Sequence, residues 1–137
     1  MKFRKLNGGD AEDLLVLFKQ LTKKEVILDI DGLLADPNYH NVVVESGGKI
    51  IGFGSISIYR AAVQGIIGAI HDIVVDGDYW GRGLGKEIMK RLILKAESRR
   101  VKSINLTSNP KRAAARKMYL SLGFEIKDTG YFEKKLD

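Results

Sequence analysis

The pattern of hydrophobic and polar residues predicts a chain that mixes helices and strands. Apolar residues recur at helical spacing after Asp10, a suitable N-cap, and predict a first helix over residues 11–21. A second apolar stripe predicts a long helix and is formed by Leu84, Ile88, Met89, Leu92, Ile93 and Ala96. Asn109-Pro110 has the residue types that start a helix, and a further helix is predicted over residues 113–122, stopped by Gly123. Between the first two helices, a short helix is expected near residues 31–35.

Runs rich in Val and Ile predict strands at residues 41–45, 50–59 and 66–75. Further strands are expected at residues 1–6, 101–107, 124–126 and 131–136. Gly52 and Gly54 alternate within one strand, so one of its faces lacks side chains and another group can approach closely there. The predicted fold class is α+β (mixed α/β), with a mostly antiparallel sheet of six or seven strands flanked by about four helices. The length of 137 residues favours a single domain over residues 1–137.

Composition narrows the function classes. Because the chain has no Cys, thiolate catalysis, Cys-ligated metals and disulfides are excluded, and with only two His residues no metal site is expected. No apolar run reaches the roughly 18–20 residues that a membrane span needs. The N-terminus MKFRKLNGGD lacks the apolar core of a signal peptide. We therefore expect a cytoplasmic protein without a membrane partner.

The net charge of +6 is concentrated in one stretch. Residues 82–117 contain 12 Lys and Arg against 2 Asp and Glu, a net charge of +10, so the remainder carries −4. Such a stretch is either a solvated helix face or the binding surface of an anionic ligand. A nucleic-acid partner is not expected, because the stretch lacks a clear set of aromatic residues for stacking.

A glycine-rich turn joins a strand to the basic helix within residues 71–86. Free N–H groups and the helix dipole at such a helix start favour phosphate, and Arg82 and Lys86 add positive charge. A simple tight turn is the alternative interpretation. Neither a Walker A loop nor a G-x-G-x-x-G fingerprint fits, because Trp80, Lys86 and Glu87 stand where these motifs require other residues.

Trp80-Gly81-Arg82-Gly83-Leu84-Gly85 resembles the acyl-CoA pyrophosphate loop of the GNAT (general control-type related) N-acetyltransferase superfamily, whose pattern is Arg/Gln-x-x-Gly-x-Gly/Ala. Downstream, residues 106–110 and 115–124 are similar to the second signature of that family, Asn…Ala-x-x-x-Tyr-x-x-x-Gly-Phe. The predicted order of elements also agrees over nearly the whole chain. One departure is Trp80, which replaces the usual Arg or Gln.

The resemblance implies a GNAT fold with a splayed sheet and acetyl-CoA as the cosubstrate. The strand Ile73-Val74-Val75 would be bulged, and the pantetheine arm would pair with the amides of Ile73 and Val75 as an added strand. An amide near Ile73 would stabilise the developing oxyanion of the thioester. The resemblance assigns the pyrophosphate to Gly81, Arg82, Gly83, Leu84, Gly85 and Lys86. Asn109 would contact pantetheine, act as a helix N-cap, or do both.

The resemblance also implies catalytic roles. Tyr119 would protonate the departing CoA thiolate, and its alternative role is that of a core aromatic packed beside Phe124. The acceptor amine must lose a proton, and His71 and Asp72 are the candidate bases, with water or a distant carboxylate as alternatives. Since His71 and Asp72 alternate along a strand, only one of them is expected to face the cleft.

The predicted function is direct transfer of an acetyl group from acetyl-CoA to a primary amine, with a small molecule as the expected acceptor. Protein N-termini and lysines stay open as acceptors. The alternatives from other classes are a GNAT-like module that binds acyl-CoA without turnover, and a nucleic-acid binder. Pairing into a homodimer also stays open.

Overall fold

The computed structural model describes all residues from Met1 to Asp137. The chain divides into two compact units, the core unit Met1–Leu106 and the C-terminal unit Thr107–Asp137. No helix in either unit combines the length and the hydropathy that crossing a membrane requires.

The core unit contains five strands and three α-helices. In chain order they are β1 Lys2–Arg4, α1 Ala11–Phe18, α2 Ile30–Ala35, β2 Tyr39–Ser46, β3 Lys49–Ala61, β4 Gly65–Val75, α3 Leu84–Ser98 and β5 Ser103–Asn105. Short 3-10 turns at Gly8–Asp10 and Gly77–Tyr79 precede α1 and α3. These elements confirm the predicted helices, although α1 ends at Phe18 because the next hydrogen bonds, from Gln20 to Leu17 and from Leu21 to Phe18, span three residues rather than four.

The five strands form one sheet in the order β1-β2-β3-β4-β5. The first four strands are antiparallel neighbours, and β5 lies parallel to β4. This arrangement confirms the predicted α+β class with a mostly antiparallel sheet. Because β4 and β5 are parallel, a crossover must connect them, and α3 provides it.

One face of the sheet is covered by α1 and α2. Leu14, Phe18, Val43, Phe53 and Val74 belong to its buried core, and the rings of Phe18 and Phe53 meet edge to face with centroids 5.3 Å apart. Each fully buried side chain of this size stabilises the fold by about 1.5–3 kcal/mol. The apolar stripe that predicted α1 is therefore the surface that joins this helix to the sheet.

The opposite face of the sheet is covered by α3. Gly52 and Gly54 leave room for it: a Cβ on Gly54 would come within 2.5 Å of the Ile88 Cγ2 and 2.6 Å of the Ile73 Cδ1. The group that approaches the glycine face, which the sequence did not identify, is thus the buried side of α3. This close packing fixes the start of α3 relative to the end of β4.

The C-terminal unit contains one helix, α4 Ala113–Ser121. It ends as predicted, because Gly123 adopts the left-handed conformation with φ +93° and its amide bonds to the Leu120 carbonyl. The two strands predicted at residues 124–126 and 131–136 are wrong, so the sheet has five strands rather than six or seven. These residues have strand-like composition but no ladder partner, and a strand exists only where its backbone pairs.

Candidate active site

β4 has a free edge along its second half. β5 pairs with it only at residues 67–69, whereas pairing with β3 continues to Val75. Because β5 ends at Asn105, residues 70–75 have no strand on that side. An extended ligand can bind to such an edge by hydrogen bonds to the backbone. The splay implied by the family resemblance is present in the sheet.

A β-bulge interrupts the pairing of β4 with β3 at Asp72. Ser55 pairs with His71 and Phe53 pairs with Val74, so two residues of β4 oppose one residue of β3. Asp72 has φ +58°, an uncommon conformation for a residue with a side chain. The bulge interrupts the strict alternation that was assumed for His71 and Asp72, and both residues are exposed.

The residues that follow the bulge present their main chain, rather than their side chains, to the free edge of β4. Ile73 and Val74 are buried, and Val75 is half-buried. The Ile73 side chain reaches the α3 face beside Gly54, whereas the Val74 side chain belongs to the core on the α1 and α2 face. Only the main chain of these residues is left to meet a ligand at the free edge.

Ser55 lies against the bulge, and Tyr39 on β2 is its diagonal neighbour. Ser55 is fully buried, and its Oγ donates a hydrogen bond to the His71 carbonyl at 3.0 Å. Burial raises the pKa of Tyr39, the Ser55 side chain partly offsets this, and the negative charge of Asp72 raises the pKa further. The Tyr39 phenol therefore stays protonated at neutral pH and can donate a hydrogen bond.

Sequence analysis did not identify Tyr39 or Ser55. The strand that contains Tyr39 was predicted to begin at Asn41, two residues too late, so Tyr39 fell outside it. The available signal was the period-two series Tyr39, Asn41 and Val43, which extends the strand backwards.

The glycine-rich loop opens into α3. Gly81 and Gly83 have φ of +81° and +76°, and a Cβ on either would meet no atom within 4 Å, so both face open space. Gly83 is the N-cap of α3 and no side chain caps this helix, which leaves its first N–H groups available. Arg82 and Lys86 are exposed beside them. A phosphate group can bind here, because the free backbone N–H groups, the helix dipole and the two basic side chains all attract negative charge.

Trp80 ties this loop to the end of β4 by a hydrogen bond. Its indole Nε1 donates a hydrogen bond to the Val75 carbonyl at 2.7 Å. The Gly77 amide donates to the Gln20 Oε1 at 3.0 Å and ties the loop to the segment after α1. Trp80, which stands where the family pattern has Arg or Gln, thus supplies a hydrogen bond within the protein rather than a positive charge.

In the C-terminal unit, Tyr119 is buried on α4. Its ring packs edge to face against Phe124, with centroids 6.1 Å apart. Burial raises the pKa of Tyr119, and the positive charge of Arg112 lowers it in part. The phenol is therefore protonated at neutral pH, as a proton donor must be. The packing with Phe124 fits the alternative structural role equally well, and one side chain can serve both.

Asn109 does not cap a helix, and the helix start predicted at Asn109-Pro110 is wrong. α4 begins at Ala113 with Arg112 as its N-cap. The Asn109 Oδ1 instead accepts from the Lys111 amide at 2.9 Å, and its carbonyl accepts from the Arg112 amide at 2.9 Å. These bonds form a turn at Asn109, three residues before the N-cap of the helix, so the capping atoms of Asn109 are used within that turn.

The predicted site residues thus fall into two groups. The core unit places His71, Asp72 and residues 73–75 on the free end of β4, with residues 81–86 on the loop that follows. Asn109 and Tyr119 belong to the C-terminal unit.

Comparison with known proteins identifies the family of the chain. Residues 10–124 match the acetyltransferase (GNAT) family. An N-alpha-acetyltransferase RimI from Mycobacterium tuberculosis (strain ATCC 25618 / H37Rv) is 32% identical over 92 residues, which is 67% of this chain and 56% of the relative. The chain therefore spans little more than half the length of that protein.

Two solved structures show the same fold. Glucosamine-6-phosphate N-acetyltransferase from Arabidopsis thaliana has a TM-score of 0.85 and 25% identity, covering 99% of this chain and 98% of that chain. Aminoglycoside N-acetyltransferase AAC(6')-Iy in complex with CoA has a TM-score of 0.82 and 21% identity, covering 99% of this chain and 100% of that chain. The family and the fold predicted from the sequence are confirmed, and the chain belongs to the acetyltransferase (GNAT) family.

Proposed function

We propose that this protein transfers the acetyl group of acetyl-CoA directly to a primary amine of a small molecule. The observation that carries the proposal is the free edge of β4 at residues 70–75, which is bulged at Asp72 and leads into the open glycine loop. We further propose that residues 1–137 act as one acetyltransferase domain, since the family match at 10–124 includes parts of both units.

Acetyl-CoA fits the core unit at two places. The pantetheine arm pairs with the backbone of Ile73 and Val75 at the free edge, because it carries amides that can extend a sheet. The pyrophosphate binds the first amides of α3 and the loop from Gly81 to Lys86, where open left-handed glycines allow close approach.

The reaction requires one covalent exchange. The lone pair of the neutral amine attacks the thioester carbonyl carbon, a C–N bond forms, and the C–S bond breaks. A backbone N–H near Ile73 stabilises the oxyanion that develops, an effect of about 3–4 kcal/mol for one good donor. Tyr119 gives its proton to the CoA thiolate, a role supported by its place four residues before Gly123 in the family motif and by its raised pKa. The nitrogen then releases one proton to solvent, and solvent returns one to Tyr119, so the phenol is restored.

The ammonium form of the acceptor must first lose a proton. His71 and Asp72 are both exposed at the bulge, directly before the proposed oxyanion donor. An imidazole titrates closer to neutral pH than a carboxylate, so we favour His71 as the base, with Asp72 or a water molecule as the alternative.

The names of two similar proteins indicate different acceptor classes. The glucosamine-6-phosphate enzyme acts on a small molecule according to its name, whereas the RimI relative is named for the acetylation of an α-amino group. We favour the small molecule and keep a protein N-terminus or lysine as the second candidate. The cytoplasmic location, the homodimer, and the absence of nucleic-acid and membrane partners stay predictions from the sequence.

The test follows the release of free thiol from acetyl-CoA in the presence of glucosamine 6-phosphate, an aminoglycoside or a peptide with a free N-terminus. We expect turnover with one of the two sugar amines. Tyr119→Phe should lower the rate by about 10²–10⁴-fold while the Kd for acetyl-CoA is unchanged. Tyr131→Phe, at an exposed position, is the matched control. Tight acetyl-CoA binding without turnover across a broad amine panel would instead support the non-catalytic binding module.

A further inference from the structure

A polar row crosses the sheet at the bulge, on the face that α1 and α2 otherwise cover with apolar side chains. Asn41, Ser55 and His71 are direct cross-strand partners on β2, β3 and β4, so their side chains share one face. Ser55 is fully buried and bonds to the His71 carbonyl. The Asn41 Oδ1 accepts from the Leu6 amide at 2.7 Å, so its role is structural.

Tyr39 extends this row toward the bulge. It pairs with Ser57, which places it on the same face as Ser55 and diagonal to it. Its ring packs against the apolar core beneath α1 and α2, which orients the side chain. Its diagonal neighbour Ser55 bonds to the His71 carbonyl, immediately before Asp72, so the Tyr39 ring lies on the row of side chains that leads to the bulge. The negative charge of Asp72 raises the pKa of Tyr39, which agrees with this position.

The second polar group at this point is the Asp72 carboxylate. It is exposed, and the left-handed backbone at φ +58° turns it out of the regular alternation of the strand. A phenol and a carboxylate together provide several hydrogen-bond acceptors and one donor. This combination suits an alkylamine, whose ammonium form donates and whose neutral form also accepts. The next residue along β4, Ile73, is the proposed oxyanion donor, so an amine held here lies next to the carbon that it attacks.

We propose that Tyr39 is an acceptor-binding residue, whose hydroxyl together with the Asp72 carboxylate hydrogen-bonds the acceptor amine and orients its lone pair. This inference rests on the proposed acetyl transfer. It adds a residue of β2 to the site, in a position that neither family signature includes. A purely structural role, in which the hydroxyl serves only as a neighbour of Ser55, is the competing explanation.

The test compares Tyr39→Phe with Tyr59→Phe, a tyrosine exposed on β3. The acceptor is whichever of glucosamine 6-phosphate, the aminoglycoside or the peptide the native protein acetylates fastest. Tyr39→Phe should raise the KM for this acceptor by roughly tenfold or more, as expected for a hydrogen bond to a charged group. The calorimetric Kd for acetyl-CoA should stay within twofold of the native value, which also shows that the variant is folded. Tyr59→Phe should change neither constant.

A double-mutant cycle with Asp72→Asn tests whether the two groups act together. If both contact the same amine, the double variant should raise the acceptor KM less than the product of the two single effects. An unchanged acceptor KM in Tyr39→Phe, or an equal loss of affinity for acceptor and acetyl-CoA, would overturn this inference and leave the proposed acetyl transfer intact. Absence of acetyl transfer by the native protein across the broad amine panel, with acetyl-CoA tightly bound, would overturn both.

Discussion

A single methyl group added to the glycine loop should separate the binding of acetyl-CoA from the stability of the fold. Gly83 has φ +76°, and a Cβ there would meet no atom within 4 Å. Gly83→Ala therefore introduces no clash, and its effect on stability comes from holding an L-residue in the left-handed region, about 1–2 kcal/mol. For a chain of this length we expect a decrease in Tm of roughly 3–10 °C. The same methyl group points into the open space where the pyrophosphate is proposed to lie.

Gly47→Ala is the matched control, because Gly47 has φ +58° and equally open surroundings in the turn between β2 and β3. Both variants should lose a similar amount of stability in thermal unfolding. Only Gly83→Ala should weaken acetyl-CoA binding, since the loss of one hydrogen bond to a charged group corresponds to roughly 10–150-fold in Kd. Equal Kd values for the two variants in titration calorimetry would refute the assignment of this loop to the pyrophosphate.

Three further predictions concern groups that the structure holds in unusual surroundings. The Arg4 guanidinium lowers the pKa of Asp10 in the folded protein, so this ion pair stabilises the fold above pH 3.8. The stabilisation is lost as the pH falls through the lower pKa that Asp10 has in the folded state. Asp10→Asn should decrease the free energy of unfolding, measured in urea, by about 2 kcal/mol at pH 7 and by less in acid. Burial lowers the pKa of His40, so the free energy of unfolding should fall as the pH drops below 6.5, and His40→Gln should remove this part of the pH dependence. Trp80→Phe removes the indole bond to the Val75 carbonyl and should weaken acetyl-CoA binding about tenfold in calorimetry, because the loop is then less firmly held.

The sequence could predict those parts of the proposed site whose conformation depends on residues close together along the chain. Gly81 and Gly83 stand at left-handed positions that glycine adopts most readily, and the apolar stripe that begins at Leu84 marks the helix that follows. Both signals lie within a few residues of each other along the chain. The glycine-rich loop, the helix and the stop at Gly123 could therefore be located from the sequence alone.

The parts that sequence could not predict depend on pairing between distant residues. The left-handed backbone of Asp72 arises where the register of β4 against β3 shifts, and no glycine marks that position. The neighbourhood of Tyr39, Ser55 and Asp72 likewise requires three strands to be aligned. The residues from Phe124 onward give the opposite error, since strands were predicted at 124–126 and 131–136 for which the sheet supplies no partner.

The arrangement of β4 also explains how a chain without cysteine could perform acetyl transfer. With no Cys residue an acetyl-cysteine intermediate is excluded, which agrees with the proposed direct attack of the amine on acetyl-CoA while both substrates are bound. Acetyl-CoA and the amine then need separate binding places that both lead to the thioester carbonyl carbon. In the proposed site the free edge of β4 takes the pantetheine arm, whereas Tyr39 and Asp72 hold the amine on the face covered by α1 and α2. The bulge brings the two binding places together, because it turns Asp72 out of the regular strand immediately before the amide of Ile73. In a regular strand the Asp72 side chain would alternate with His71 and lie on the α3 face, away from Tyr39. For this reason we regard the bulge as the central element of the proposed site.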